Sequence, residues 1–446
     1  MIFAPVSFFA LENQDTEPPV DRFRVAISPF YLEDSDEADF VTAEALKNQI
    51  ENTAKDRIEV TILDAPPIKD KENAIQKGKK AGAHLTVYGG EKRVLGRGTQ
   101  IEFYVVPTNS EIGIPETIYT SKEGSSEFKS AYYKYTDEPV VIVESLKENV
   151  SSAVYTICAF GYYERSEYDS ALKTFRCINN YGNDESILFY VASCYNFRGD
   201  LSDSLDYNNK ILELDSQNSV TWNNKGVVLD KLGDYKEALI AFNKAIEINP
   251  QYSVAYNNKG SVLAKLGNYE EALDACNKST EIDPQNSDAW YNKGVILGKL
   301  GRYKEALDAC NKSIELNPEY SVTWYNKGVI LGELGNYKDA IDAFDKAIEL
   351  DPQSSEAWNN KGVALGKLGN YEEETEAYNK AIELNPEYSD ALYNRARTYS
   401  IMKNKDQALL SLKSAIELNP LCKEIAKNDG GFKYLWGDEG FKKLTE

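Results

Sequence analysis

The chain has 446 residues, of which 71 are acidic and 50 basic, giving a formal net charge of −21. That balance excludes a nonspecific grip on nucleic acid or anionic lipid, because phosphate binding draws its energy from Lys and Arg. With 42% hydrophobic and 27% charged residues, the chain is expected to fold with core enough for several domains or one elongated array.

The reactive inventory is thin. There is one His, His84, and the six Cys stand at 158, 177, 194, 276, 310 and 422 with no CxxC spacing. Neither a His-dependent triad nor a zinc site can be assembled from these, so no catalytic residue, metal or cofactor is expected. Reduced thiols favour a cytoplasmic site.

Residues 1–21 open on MIFAPVSFFA, apolar for too few positions to span a bilayer and without a basic leading region. They are expected to be a flexible apolar tail, or the end of an export or envelope-anchoring segment if the true start lies upstream. No later stretch approaches a transmembrane run.

Residues 22–137 are expected to be a small α/β domain. FRVAISPF (23–30) alternates as a strand, 38–54 has helical spacing, 58–63 is a second strand, 71–82 a helix and 84–89 a third strand. A hairpin returns through 100–106, and a last strand falls around 116–121. Gly89, Gly90, Gly96 and Gly98 bracket this hairpin and do not open a helix, which argues against a phosphate loop. The acidic run Glu33, Asp34, Asp36, Glu37, Asp39 lacks the glycine and terminal Glu of a calcium loop and reads as solvated. The order of elements, with VAISPF at the front and KKAGAHLTVYGG in the middle, resembles the α/β domain at the amino terminus of TolB and FlgO-like envelope proteins. Residues 138–151, with apolar side chains at Val140, Val143, Leu146 and Val150, predict a helical connector.

From residue 152 the chain repeats itself. Trp222, Tyr256, Trp290, Trp324, Trp358 and Leu392 stand 34 residues apart, as do Gly226, Gly260, Gly294, Gly328, Gly362 and Ala396, and Pro250, Pro284, Pro318, Pro352, Pro386 and Pro420. Each unit predicts two helices: in 290–318, Trp290, Gly294, Leu297 and Leu300 share one face, and Ala306, Leu307, Cys310, Ser313 and Ile314 another. Gly301 permits a turn between them, and Asn317-Pro318 ends the second. The unit resembles the tetratricopeptide repeat with its W-x2-L-G-x2-Y, A-x3-F and terminal P pattern. Two weaker copies at 152–184 and 185–218 bring the expected count to eight over 152–422. Residues 423–446 are expected to cap the array with Phe432, Leu435, Trp436, Phe441 and Leu444. The fold class is thus α+β multidomain, a small α/β domain followed by an all-α superhelix (α-solenoid).

Numbering each repeat from the position of Ser219, place six is Asn224, Asn258, Asn292, Asn326, Asn360 and Asn394. Helical phase sets it away from the Trp and Gly side. Six amides are expected either to line a concave groove and grip the main chain of an extended peptide, or to bond the neighbouring helix. In position the row resembles the asparagine ladder of the O-GlcNAc transferase superhelix, although no glycosyltransferase domain follows it. Tyr291, Tyr325 and Tyr393 would add contacts at place five, where Asn223, Asn257 and Asn359 also occur. Lys231, Lys265, Lys299 and Lys367 recur on the same face, interrupted by Glu333, as a positive stripe or a solvated one. A chaperone-type carboxylate clamp is disfavoured, since Val227, Val295 and Val329 stand where it needs Asn.

Place seven carries Lys225, Lys259, Lys293, Lys327, Lys361 and Arg395 in a packed phase. An unpaired buried ammonium costs several kcal/mol, so the stems must pack while the tips reach water or a carboxylate, with Asp274, Asp308 and Asp342 as candidates. Glu374 stands where neighbouring repeats carry Ala306 and Ala340, and predicts a weak point or bend. Cys276 and Cys310, in place of Phe, are expected to fill core space.

The functional expectation is a non-enzymatic scaffold that holds an extended peptide or a partner's helix in the groove. Its rivals are an envelope-assembly protein whose TolB-like domain does the recognising, and an enzyme with its site in the first 130 residues. No nucleic-acid partner is expected.

Overall fold

The computed structural model describes residues 166–178 and 184–446 continuously, and before them eight strands by their backbone together with a few isolated helical positions. The strands are β1 (Phe23–Ile27), β2 (Phe30–Leu32), β3 (Ser35–Asp39), β4 (Ile58–Ile62), β5 (Leu85–Val94), β6 (Gly98–Pro107), β7 (Ile118–Tyr119) and β8 (Val140–Ser145). They form one mixed sheet. β1 lies parallel to β4 and to the start of β5, β2 runs parallel to β5 further along, and β5 and β6 make a long hairpin from Leu85 opposite Pro107 to Val94 opposite Gly98.

Two expectations fail here. Residues 140–145 are a strand, antiparallel to β6 and parallel to β7, so the sheet runs past 137 into the stretch expected to be a helical connector. The run Val140-Val141-Ile142-Val143 is continuously β-branched, which favours a buried strand over a helix; selecting only 140, 143, 146 and 150 hid the apolar residues between them. The helix expected to start at residue 38 cannot do so either, because Ala38 and Asp39 belong to β3 and pair with Tyr31 and Phe30. The helix expected over 71–82 lies outside the described residues except for two positions within it that are helical.

The chain divides at residue 250 into two compact units. In the first, α1 (Tyr168–Phe175) precedes the pairs α2 (Glu185–Arg198) with α3 (Leu201–Leu214), and α4 (Ser219–Lys231) with α5 (Tyr235–Ile248). The second holds α6 (Ser253–Lys265), α7 (Tyr269–Ile282), α8 (Ser287–Lys299), α9 (Tyr303–Leu316), α10 (Ser321–Glu333), α11 (Tyr337–Leu350), α12 (Ser355–Leu368), α13 (Tyr371–Leu384), α14 (Ser389–Ile401) and α15 (Lys405–Leu418). They pack as sequential hairpins.

Within a hairpin the close approach is steric. A Cβ on Gly328 would sit 2.6 Å from the Phe344 ring, which is fully buried; only glycine lets α10 and α11 close on that ring. Phe344→Ala would cost about 3–5 kcal/mol. The turns hold glycines in the left-handed region, such as Gly301 at φ 73°, where side-chain-bearing residues are strained. Between repeats the indole of Trp290 donates to the Pro284 carbonyl at 3.0 Å and that of Trp324 to Pro318 at 2.9 Å, tying α8 and α10 to the linkers before them. Cys276 and Cys310 are fully buried core residues, as expected.

After α15, α16 (Leu421–Asn428), a 3-10 turn (Gly430–Leu435) and α17 (Glu439–Thr445) cover the last repeat. Phe432, Leu435 and Phe441 join Leu392, Tyr393, Ala396 and Leu412 in one core cluster. Trp436, expected with them, is exposed instead. Among the described residues no helix is long and apolar enough to cross a membrane.

Candidate binding face on the first helices

Places two, five and nine, and likewise two, six and nine, step by three or four residues along a first helix and so form one stripe. The structure joins these stripes from repeat to repeat. Asn292 Nδ2 donates to Asn257 Oδ1 at 2.9 Å, Asn360 Nδ2 to the Tyr325 hydroxyl at 2.9 Å, and Asn394 Nδ2 to Asn359 Oδ1 at 3.2 Å. Asn326 bonds Tyr291 in the same manner. These four amides thus tie their helices to place five of the preceding repeat.

For Asn292, Asn326, Asn360 and Asn394 this is the neighbouring-helix alternative, whereas Asn224 Oδ1 accepts from Asn223 of its own helix at 3.5 Å. Asn326, Asn360 and Asn394 are buried, while Asn224, Asn258 and Asn292 are half-buried. A side chain with two donors and one acceptor suits a strand backbone and a neighbouring amide equally well, and here the neighbour is within reach. Of the tyrosines, Tyr291 and Tyr393 are buried and Tyr325 is half-buried. Burial pushes the Tyr291 hydroxyl up to about 12. Tyr393 turns toward the C-terminal cap, donating to Asp429 Oδ2 at 3.0 Å.

Sequence reasoning missed the residues that stay accessible on this stripe. Place two is Asp288, Val322, Glu356 and Asp390 along α8, α10, α12 and α14, all half-buried. None of the three carboxylates has an ion pair among the described residues; Glu356 accepts only from the Ser355 hydroxyl at 3.1 Å. The last place of alternate repeats brings Tyr320 and Tyr388 to the same rim. Tyr320 stacks at a tilt on Tyr291 with ring centres 5.4 Å apart, in the field of Asp288, while Tyr388 lies in the fields of Tyr325, Glu356 and Asp390. Burial raises the Asp288 carboxyl above its ordinary range. The available signal was a 68-residue alternation, Tyr252, Tyr320, Tyr388 against Asn286 and Ser354.

The expected lysine stripe lies at the other end of the first helices. Lys231 and Lys367 are exposed, Lys265 and Lys299 half-buried, and Lys231 Nζ donates to Asn196 Oδ1 at 3.2 Å.

The place-seven cations are half-buried, and one of them, Lys361, reaches a carboxylate, though not one of the aspartates expected. The tips of Lys225, Lys293, Lys327 and Lys361 lie over the indole one turn back, at 5.1, 4.9, 5.1 and 5.3 Å from the Trp222, Trp290, Trp324 and Trp358 rings. Side-chain partners come from place 25 of the preceding repeat for Lys361, which pairs with Asp345 at 2.5 Å, and for Arg395, whose Nη1 donates to Asn379 Oδ1 at 2.8 Å while its Nε donates to Ser411 Oγ of its own repeat at 3.2 Å; none of the three aspartates expected is among them. The cation–π contact supplies about 0.5–1 kcal/mol at such a half-open site. A cavity of about 370 Å³ opens beside one of these cations, lined by Leu307, Asn311, Trp324, Lys327, Asp339 and Asp342 among others.

A tetratricopeptide-repeat model matches residues 219–252, 253–286, 287–320, 321–354 and 355–388, and a second model of the same repeat matches 377–409. These are tetratricopeptide repeats. Among solved structures, one of YrrB, described as a tetratricopeptide-repeat protein with an unusual peptide-binding site, is 28% identical over 42% of this chain and 96% of its own, with a TM-score of 0.37. PilF of Pseudomonas aeruginosa is 18% identical over 50% of this chain and 97% of its own, at 0.43. A tetratricopeptide-repeat protein of Parabacteroides merdae is 19% identical over 56% of this chain and 98% of its own, at 0.44. No curated protein matches the chain in sequence.

Proposed function

We propose that the protein is a non-enzymatic scaffold whose repeats hold an extended segment of a protein partner against the first-helix stripe of residues 287–401. The observation that carries the reading is the rim of unpaired carboxylates and loop tyrosines, which recurs on a framework locked by the Asn–Asn and Asn–Tyr bonds. Packed helices lie about 8–10 Å apart, so an extended chain advancing about 3.4 Å per residue meets a new repeat at about every third residue. The buried amides set the spacing and the rim makes the contact.

We also propose that the strand-bearing region ahead of the repeats is a small α/β domain of TolB or FlgO type. Parallel pairing of β1 with both β4 and β5 supports this, because parallel neighbours require crossover connections. Hydrogen exchange on the full chain tests both roles. With a peptide selected from a random extended library, protection is expected along 287–401. Protection confined to 23–145 would move recognition to the sheet.

A further inference from the structure

We propose that the segment held on this stripe is basic, carrying two Lys or Arg side chains five or six residues apart, one seated by Asp288 with Tyr320 and the other by Glu356 with Tyr388. The inference rests on the first-helix reading and names the partner chemistry for that face.

The face carries three carboxylates, Asp288, Glu356 and Asp390, without an ion pair among the described residues, and two further oxygens in the same rows are unsatisfied: the Tyr388 hydroxyl and the amide oxygen of Asn326, a side chain only 2% exposed. A guanidinium or ammonium carries donors and no acceptor, so it matches what this surface lacks. Tyrosine rings beside each carboxylate add a π face on which a cation can rest.

Spacing fixes the register. Asp288 and Glu356 stand two repeats apart, about 16–20 Å at the usual helix separation, which an extended chain spans in about five or six residues. Asp390 is one repeat further, about three residues along. The lysines do not cancel this rim. Lys299 lies eleven residues along α8 from Asp288, about 16 Å at 1.5 Å per residue, twice the screening length of about 8 Å at physiological salt. Between Lys299 and Lys367 the lysine row is broken by Glu333. An acidic guest would have to avoid the carboxylate rim to reach the lysines, whereas a basic guest meets the rim directly.

The helix starts point the same way. α8 and α12 are capped by Asn286 and Ser354, whose side chains accept from Ala289 N and Ala357 N, whereas α10 and α14 start at Tyr320 and Tyr388 with no side-chain cap. A local rule of helix stability is set aside where the ring faces the rim, which is the pattern expected of a binding surface.

The test uses the full chain and fluorescence anisotropy with three labelled peptides of alternating Ser and Val, differing only in two residues placed six apart: Arg, Gln or Glu. The Arg peptide is expected to bind at least tenfold tighter than the Gln peptide, and the Glu peptide weakest. Asp288→Asn with Glu356→Gln should erase the Arg advantage at an unchanged melting profile, and Val322→Asp, which adds a carboxylate between the two seats, should strengthen Arg-peptide binding severalfold. Equal binding of Arg and Gln peptides that both weaken in Tyr320→Ala would overturn the basic-guest proposal and leave the first-helix reading standing. A preference for the Glu peptide, or an Arg advantage that survives loss of both carboxylates, would also overturn it. Absence of binding by any of the three would overturn both readings.

Discussion

Glu374 is the residue at which the repeat most plainly departs from its own rule. It stands on α13 where Ala306, Ala340 and Ala408 stand in other repeats, and it is 2% exposed. Oε1 accepts from the Tyr378 hydroxyl at 3.1 Å and Oε2 has no partner, while the Thr398 hydroxyl of α14 donates to the Asn394 carbonyl at 2.9 Å. Gly366 on α12 leaves the space, because a Cβ there would collide with the carboxyl group. Helix α13 runs through this position without a break. Burial raises the carboxyl to about 7, against the pull of Thr398, Tyr378 and Arg397. A folded-state value above the unfolded one means the protonated group favours the fold: its contribution is whole below about 4.5 and disappears as pH rises through about 7, a loss of order 3 kcal/mol. Thermal melts of wild type minus Glu374→Gln, taken from pH 4.5 to 8, should therefore show wild type losing stability with rising pH; a flat difference would refute it. The weak point expected from sequence becomes conditional, with amides 362–380 exchanging faster than those of the adjacent repeats only on the alkaline side. Lys403 is the second departure. It holds φ 59° where the six preceding turns, from Gly199 to Gly369, carry Gly, so Lys403→Gly should raise stability by about 1 kcal/mol in chemical denaturation.

At the scale of elements, the two alternating kinds of helix start separate stability from binding. An Asn at the start of a first helix contributes about 1 kcal/mol by accepting an early N–H, and Asn286 does so at 3.1 Å. Tyr320→Asn should then raise the unfolding midpoint while weakening capture of the Arg peptide, and movement of both in the same direction would show that the ring serves packing alone. The C-terminal cap is held through Asp429, which accepts from Gly431 N at 2.8 Å, Tyr393 at 3.0 Å and Arg397 Nε at 3.2 Å. Burial works to raise this carboxyl, but those donors and the Arg397 charge hold it below the ordinary range. Asp429→Ala leaves a half-buried guanidinium without its partner and should cost about 2–3 kcal/mol, read as early loss of structure in 421–445 by hydrogen exchange. The cap was legible in sequence because Phe432, Leu435 and Phe441 cluster in a short stretch after the last proline. Trp436 was misassigned because spacing gives a face and cannot say where the covered surface ends. The strand at 140–145 was missed because four apolar residues in a row fit either period.

Across the whole molecule, the repeat was legible over residues 219–388, where a 34-residue period recurs at the Gly and Pro positions, whereas the binding face was legible only in part. Helical phase placed Asn326 and Asn360 on the right stripe, but whether an amide on a stripe faces a guest or a neighbour depends on how closely first helices approach, which no single repeat encodes. The net charge of −21 sets the last expectation. Local pairs such as Lys278–Glu281 at 3.1 Å and Lys312–Glu315 at 2.9 Å are exposed, and each is worth under about 1 kcal/mol. The excess of carboxylates repels itself over longer distances, and salt screens that repulsion on the scale of the Debye length, about 30 Å at 0.01 M and 8 Å at 0.15 M. The fold should therefore melt higher as salt rises across this range, while capture of a cationic peptide, steered by the same field, slows. Calorimetry and stopped-flow mixing on the full chain would read the two separately. A melting temperature that falls with salt would mean that the local pairs outweigh the excess charge, and an association rate indifferent to salt would mean that the acidic rim does not steer its guest.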